Sequence, residues 1–596
     1  MSAHHLQALL PGTSPWSNLP LSTLDTAMAH LLQHAQPSTD VRHLWLAALT
    51  HQRWTQGHAC LELNALSKDP AAVLGWNADQ IAELPADLAA AATTLPWTTG
   101  ADSPLVLQDQ RLYLRRAWMA EQTIRQVLAA RTQPLHPVDT AQVAVWIDAL
   151  FSGLGTSESE LAQQADQRSA CMACLKHGLT LVSGGPGTGK TTTVARMLAL
   201  MQRVHATRQP DSTLRILLAA PTGKASARLA ESMQSAIDRL PLEWRTGLPD
   251  SAATLHRLLI EQNTIWDVDV LVIDEASMVD LELMARVLRA LPESTRLILL
   301  GDPDQLASVE AGAVLSQLCA APWLKRQHVH LSHSHRFRAD QGIGQWARWV
   351  QQDESQGRQD AWEALPQGWM AAEHQVTRLG RFTPQSPTGK ALLRHAFDPW
   401  WQQVQSALHG PETPQVSDTV ARQLLDGFSQ VGVLCALRDG PWGVAALNQQ
   451  IAMALGLDSA LWCAGRPVMV TRNNPGLNLM NGDIGLCLPH VLPDGRVVLR
   501  VAFAHQDSVR WIAPARLDDV EPVFAMTVHK SQGSEFNHVL LVLPERINPV
   551  LTRELIYTGV TRAKERLTWW VPEPEVLFNA CERRVARSGG LSEPVD

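Results

Sequence analysis

Leu179-Thr-Leu-Val-Ser-Gly-Gly-Pro-Gly-Thr-Gly-Lys-Thr191 runs an apolar segment into a glycine-rich turn that closes on a lysine and a threonine. The spacing Gly184-x-x-x-x-Gly189-Lys190-Thr191 is that of a phosphate-binding loop between a strand and a helix. Gly185 and Gly187 let the backbone turn its N–H groups inward around phosphates, and the helix that starts here aims its positive end at the same charge. Gly184, Gly185, Pro186, Gly187, Thr188, Gly189, Lys190, Thr191 and Thr192 are therefore the expected binding segment for a nucleoside triphosphate. Lys190 is expected to reach the β- and γ-phosphates, and the Thr191 hydroxyl to help hold Mg²⁺.

A second apolar run, Val270-Leu-Val-Ile273, ends in Asp274-Glu275. Two adjacent carboxylates at a strand end suit metal-assisted hydrolysis: one holds the ion, the other orients or deprotonates water. Asp274 is assigned to Mg²⁺ and Glu275 to the water. Further runs at Ile216 to Ala219 and Arg296 to Leu300 alternate with helical patterns, which predicts a parallel α/β sheet from Leu179 to about Phe337.

The chain has 596 residues, too many for one hydrophobic core. With 45% hydrophobic and 18% charged residues it reads as globular. Helical patterns at Leu21 to Gln33, Val41 to Arg53 and Asp79 to Ala92 predict a helical N-terminal domain over residues 1–115. A first sheet domain is expected over 116–345 and a second over 346–596, with strands at Val431 to Cys435, Val539 to Leu543 and Leu567 to Val571. Within the second, Gly465 to Val523 carries short strands at Val468 to Thr471, Ile484 to Leu488 and Val497 to Val501, separated by Asn-Gly and Asp-Gly turns. That spacing predicts a small antiparallel barrel as an insert.

The net charge of −8 argues against a surface that coats polyanions throughout, while leaving room for a narrow nucleic-acid track. Up to Arg115 there are nine acidic and five basic residues, so this segment suits contact with protein better than with a phosphate backbone. The N-terminus lacks a basic region followed by an apolar run, and no stretch reaches the length of a membrane span. A cytoplasmic protein with reduced thiols is expected. Cys171-Met-Ala-Cys174 has no second pair at zinc-ligand spacing and is expected to pack in a helix.

Ala219-Ala-Pro-Thr-Gly-Lys-Ala-Ser-Ala-Arg-Leu229 follows the second strand of the first sheet, where Thr222, Lys224 and Ser226 suit contact with a phosphate backbone. Leu300-Gly-Asp-Pro-Asp-Gln-Leu306 follows the fourth, where the Gln305 amide can sense the γ-phosphate or the attacking water. These strings resemble superfamily 1 helicases. Adding Thr254-Leu-His-Arg-Leu-Leu259, Phe524-Ala-Met-Thr-Val-His-Lys-Ser-Gln-Gly-Ser-Glu-Phe536 and Leu555-Ile-Tyr-Thr-Gly-Val-Thr-Arg-Ala-Lys564, the chain resembles more narrowly the RecD family, the α subunits of the RecBCD nuclease-helicase (exodeoxyribonuclease V). The resemblance spans about Gln167 to Val571.

The resemblance implies two RecA-like motor domains, with an SH3-like barrel at about 465–523 in the second. It implies ATP with Mg²⁺, Gln167 as the reader of adenine, and Glu535 in the nucleotide site. Arg336 and Arg562 would reach the γ-phosphate from either side of the interdomain cleft, where an arginine finger is worth on the order of 10³ to 10⁵ in rate. Single-stranded DNA would run past Thr222, Lys224, Thr254, His256, Thr527, His529 and Gln532. Arg472, Asn473 and Asn481-Gly-Asp483 resemble the family's barrel loops, and hairpin turns explain them equally well. The tryptophans Trp400-Trp401 and Trp569-Trp570 are expected in the core.

The family implies 5′-to-3′ movement on single-stranded DNA in a heterotrimer with RecB- and RecC-like subunits, acting in double-strand break repair and recombination. No further carboxylate cluster suggests a nuclease centre, so cleavage would belong to a partner. The sequence lacks the long N-terminal extension of stand-alone RecD-type helicases, which favours the complex-bound subunit. The alternatives are a free-standing helicase of the same superfamily and an assembly subunit whose ATP site is a regulatory switch.

Overall fold

The computed structural model describes residues 16, 19–135, 137–152, 155, 158–261, 265–334, 342–353, 357–369, 374–409, 416–458, 462–505 and 508–594. The N-terminal region is mainly helical, led by Thr23–Ala35 and Val41–Thr55. Ser22 caps the first of these through Asp25 N–H, and Asp25 returns the bond to Ser22 N–H. The helical expectation needs one addition here. Three short strands, β1 (Cys60–Glu62), β2 (Leu105–Gln108) and β3 (Arg111–Leu114), form an antiparallel sheet in the order β1-β3-β2. At three or four residues each they are too short to show a period of two.

Six strands form the first large sheet: β4 (Leu179–Ser183), β5 (Ile216–Ala220), β6 (Ala253–Thr254), β7 (Val270–Ile273), β8 (Arg296–Gly301) and β9 (His328–His330). Their order is β6-β5-β7-β8-β4-β9, and every neighbour pair is parallel. The central strands are mostly apolar, Val270–Ile273 without a break, because both faces are covered. Leu179, Leu181, Leu271, Ile273, Leu297 and Leu299 pack into a core that continues through Trp45, Leu46, Leu61 and Ile124 of the N-terminal region. Val182, Val270, Val272, Ile298 and Leu300 face the other way, toward Val194, Leu198 and Cys171. The N-terminal region thus shares its core with one sheet face. Truncating a leucine there costs about 2–5 kcal/mol.

The second half holds β10 (Val376–Arg378), β11 (Val431–Cys435), β12 (Pro467–Val470), β13 (Ile484–Val491), β14 (Val497–His505), β15 (Ser508–Ile512), β16 (Val520–Pro522), β17 (Ala525–Thr527), β18 (Phe536–Val542) and β19 (Ala563–Trp570). A parallel sheet runs β10-β19-β18-β11-β17. Between β11 and β17 in the chain, β12 to β16 form a separate antiparallel sheet, ordered β15-β14-β13-β12-β16, with a small core of its own around Val468, Cys487 and Phe503. The stretch from Gln351 to Ser417 includes a 23-residue helix, Pro387–His409. Trp400, Trp401, Trp569 and Trp570 are all buried. Trp569 meets Trp346 and Trp362 edge-on, with centroids 5.8 and 6.1 Å away.

After the last helix, Pro574–Glu582, the chain crosses back over the first half. Arg587 Nη1 donates to Glu310 O at 2.7 Å and Gly312 O at 3.1 Å, and Nη2 to Ser308 O at 2.6 Å. Ser588 Oγ donates to Cys60 O at 2.6 Å, Leu591 is buried in the N-terminal core, and Glu593 pairs with Arg111. This segment ties all three regions together. Nothing in its sequence signals such a role, since its partners lie hundreds of residues away.

Candidate nucleotide site and the rim above it

The loop after β4 folds as its glycines require: Gly187 and Gly189 hold φ of 76° and 84°, a region that only glycine enters at little cost. The helix Lys190–Arg208 starts directly beneath, its unsatisfied N–H groups facing the loop. Lys190 Nζ donates to Gly184 O at 2.6 Å and Gly185 O at 3.1 Å, so the ammonium sits over the loop that an anion would fill.

In the sheet order, β8 lies beside β4 and β7 beside β8, and both deliver the remaining chemistry at the same carboxyl edge. Asp274 follows β7, and its Oδ1 accepts Glu275 N–H at 2.9 Å. Glu275 takes a left-handed conformation, φ 51°, that turns the chain sharply after the strand. Desolvation, with the negative charge of Glu275, pushes the Asp274 carboxyl above the usual range, while Lys190 pulls it back. Asp274 and the Thr191 hydroxyl make an oxygen donor set, the kind a hard divalent cation takes.

A cleft of about 320 Å³ is lined by residues 186–192, Asp274, Glu275 and Gln305 from the first half, with Gly533, Glu535 and Arg562 from the second. Arg562 is buried, and its Nη2 donates to Gln305 Oε1 at 3.0 Å across the junction. Burial acts to lower its pKa, while the charges of Glu275 and Glu535 work in the opposite direction. Arg228 also lines this cleft and pairs with Glu535. Nothing in the sequence alone points to it, although it follows Lys224 by one helical turn on the helix Gly223–Ile237.

Other expected site residues stand elsewhere. Gln167 is buried, its Oε1 taking Arg196 Nη1 at 2.6 Å, and it is not among the cleft's lining. Gly185 faces a smaller adjoining pocket with Thr188 and Tyr557. Arg336 lies outside the described residues.

The residues expected along DNA divide in two. Thr222 and Thr254 follow or end the paired strands β5 and β6, with Lys224 and exposed His256 two residues further on. Thr222 Oγ1 caps its helix by accepting Ala225 N–H at 3.2 Å, and Thr254 Oγ1 accepts Arg257 N–H at 3.2 Å. Desolvation pushes the Lys224 ammonium down to about 8, against the pull of Asp483 on a turn just before β13. Thr527 ends β17 in the second sheet. His529 and Gln532 instead face the junction: His529 lies near Arg587, and Gln532 Nε2 donates to Leu306 O at 3.1 Å. In the turns of the second half's antiparallel sheet, Asn473 Oδ1 takes Asn481 N–H and Asp483 Oδ2 takes Met480 N–H, both at 2.8 Å, as in ordinary turns. Cys171 and Cys174 are buried in the helix Glu158–Lys176.

Fold and site define a phosphate-loop α/β protein whose second parallel sheet closes over the nucleotide cleft of the first. Residues 18–113 match the N-terminal domain of the RecBCD enzyme subunit RecD, 162–373 an AAA domain, and 522–568 the UvrD-like helicase C-terminal domain. The RecBCD enzyme subunit RecD of Haemophilus influenzae is 32% identical, over 96% of this chain and 97% of that protein. That of Mycolicibacterium smegmatis is 39% identical over 80% and 81%. The ATP-dependent RecD2 DNA helicase of Deinococcus radiodurans is 30% identical over 83% of this chain and 61% of its own length. The crystal structure of Pif1 helicase from Candida albicans aligns with 70% of this chain and 94% of its own at 15% identity and a TM-score of 0.34. The chain belongs to the RecD family.

Proposed function

We propose that this protein is an ATP-dependent 5′-to-3′ single-stranded DNA helicase that works as the RecD subunit of a RecBCD-type complex in break repair and recombination. The carrying observation is the bond from Arg562 to Gln305, which closes the second half onto the phosphate loop beside Asp274 and Glu275. A cleft closed this way changes shape when the bound nucleotide changes, and that is what a motor needs.

In this reading residues 116–345 and 346–596 are RecA-like motor domains and 465–523 an SH3-like barrel. Lys190 pairs with the β- and γ-phosphates, Thr191 and Asp274 hold Mg²⁺, and Glu275 takes the proton of the attacking water. Bound Mg²⁺ would neutralise charge on the phosphate oxygens. Gln305 orients the water, and Arg562 meets the negative charge that develops on the γ-phosphoryl group. Thr222, Lys224, Thr254 and His256 form one half of the DNA track and Thr527 the other. DNA cleavage falls to a partner. The N-terminal region, 1–115, contacts RecB- or RecC-like subunits; Leu24 and Leu31, 69% and 64% exposed on one helix, suit such a contact.

Tailed duplexes test this. The chain, free of any partner motor, should unwind from a 5′ single-stranded tail and do little from a 3′ tail, with ATP hydrolysis raised by single-stranded DNA. Preferential unwinding from the 3′ tail overturns the polarity, and a hydrolysis rate indifferent to DNA overturns the motor.

A further inference from the structure

Tyr557 lies on the helix Arg553–Thr561 of the second half and is 5% exposed. Its hydroxyl donates to Asp302 Oδ2, 3.0 Å away in the first half. The same oxygen accepts Gln305 Nε2 at 3.0 Å, and Oδ1 takes Asp304 N–H at 3.1 Å. The other end of the Gln305 amide, Oε1, receives Arg562 Nη2. Tyr557 and Arg562 therefore grip one short segment of the first half from two points of the second. The phenol also abuts the phosphate loop: a Cβ on Gly185 would stand 3.0 Å from Oη.

A glutamine amide has two orientations of nearly equal shape, and only its neighbours choose between them. Here a carboxylate oxygen claims the NH₂ and a guanidinium claims the carbonyl. Asp302 can claim the NH₂ only while Oδ2 is an acceptor. A hydroxyl that donates to that same oxygen requires it to remain one. Opening of the cleft would carry Tyr557 away with its helix and release the constraint.

We propose that Tyr557 is a positioning residue for ATP hydrolysis: by donating to Asp302 across the cleft it sets the Gln305 amide and couples its orientation to closure of the two halves. This rests on the hydrolysis reading of the cleft given above.

The test uses the full chain and DNA-stimulated hydrolysis, with single-turnover measurement for slow variants. Tyr557→Phe keeps the ring and removes one donor. The expected result is a kcat about tenfold lower with KM for ATP within twofold, the size of one charge-assisted bond lost where charge develops. In a Gln305→Ala background, Tyr557→Phe should have no further effect, because the group it positions is gone. Asp302→Asn should show the same dependence from the other end of the bond. A kcat within twofold of the parent, or losses that multiply in the double variant, overturns the proposal. Lys190→Gln separates the two claims: if it hydrolyses ATP at the parent rate, the site reading fails. If it is inactive while Tyr557→Phe turns over normally, only the role of Tyr557 falls.

Discussion

The two sides of the nucleotide cleft are built in opposite ways. The first half offers one continuous loop, Gly184 to Thr192, whose backbone and single lysine make a phosphate cradle without help from distant residues. The second half offers isolated side chains, Glu535, Tyr557 and Arg562, from segments separated in the chain and held by burial in the junction. A local loop can bind; only the assembled junction can place charge against a transition state. Affinity and turnover should accordingly separate when each side is altered.

The largest effect is expected from the loop. Lys190→Gln should reduce hydrolysis by at least about 10³-fold while the melting temperature holds, since the Lys190 ammonium hydrogen-bonds to two carbonyls of its own loop rather than into the core. Phosphate release and thermal melting of the purified variant check this, and retained turnover would break the comparison at its stronger side.

Altering the junction should give a different signature. Arg562→Ala is expected to lower kcat on the order of 10³-fold, with KM for ATP changed only a few-fold. Steady-state kinetics with saturating DNA decide it. A loss confined to affinity would make Arg562 part of the cradle and erase the contrast.

The smallest effect belongs to the rim. Lys224, with its pKa pushed down to about 8, is charged below that value and neutral above it. Contact with a phosphate backbone needs the charge, so affinity for single-stranded DNA should fall severalfold as pH rises from 7 to 9. In Lys224→Gln the same titration, followed by fluorescence anisotropy at constant salt, should be flat. A parent chain whose affinity ignores pH would remove Lys224 from the track.

How much was legible follows the same division. The strands β4, β5, β7, β8, β11, β18 and β19 were readable because each parallel strand covered on both faces contains a short, mostly apolar run. The edge strands β6, β9, β10 and β17, two or three residues each, carry no such run, and neither does the N-terminal sheet. Cys171 and the paired tryptophans were correctly expected in the core, since large apolar groups without ligand partners have nowhere better to go. Arg228 stands within the Ala219 to Leu229 segment, and only its pairing with Glu535, distant in sequence, marks it out. Gln167 showed the reverse: a residue the motif comparison assigned to adenine is engaged with Arg196.

By itself, then, the amino-acid sequence determined the phosphate loop, the carboxylates at the end of β7, the order of the two sheets and the family, because each is written in a few adjacent residues whose spacing the backbone obeys. Tertiary structure alone decided that the N-terminal region shares its core with the first sheet and that the final segment straps the halves together through Arg587 and Ser588. It alone joined Tyr557 to Asp302 and Arg562 to Gln305. Those pairings unite residues more than two hundred positions apart, and neither member has a local pattern that requires the other. They exist because groups buried in a common junction away from water must find their hydrogen-bond partners inside the protein.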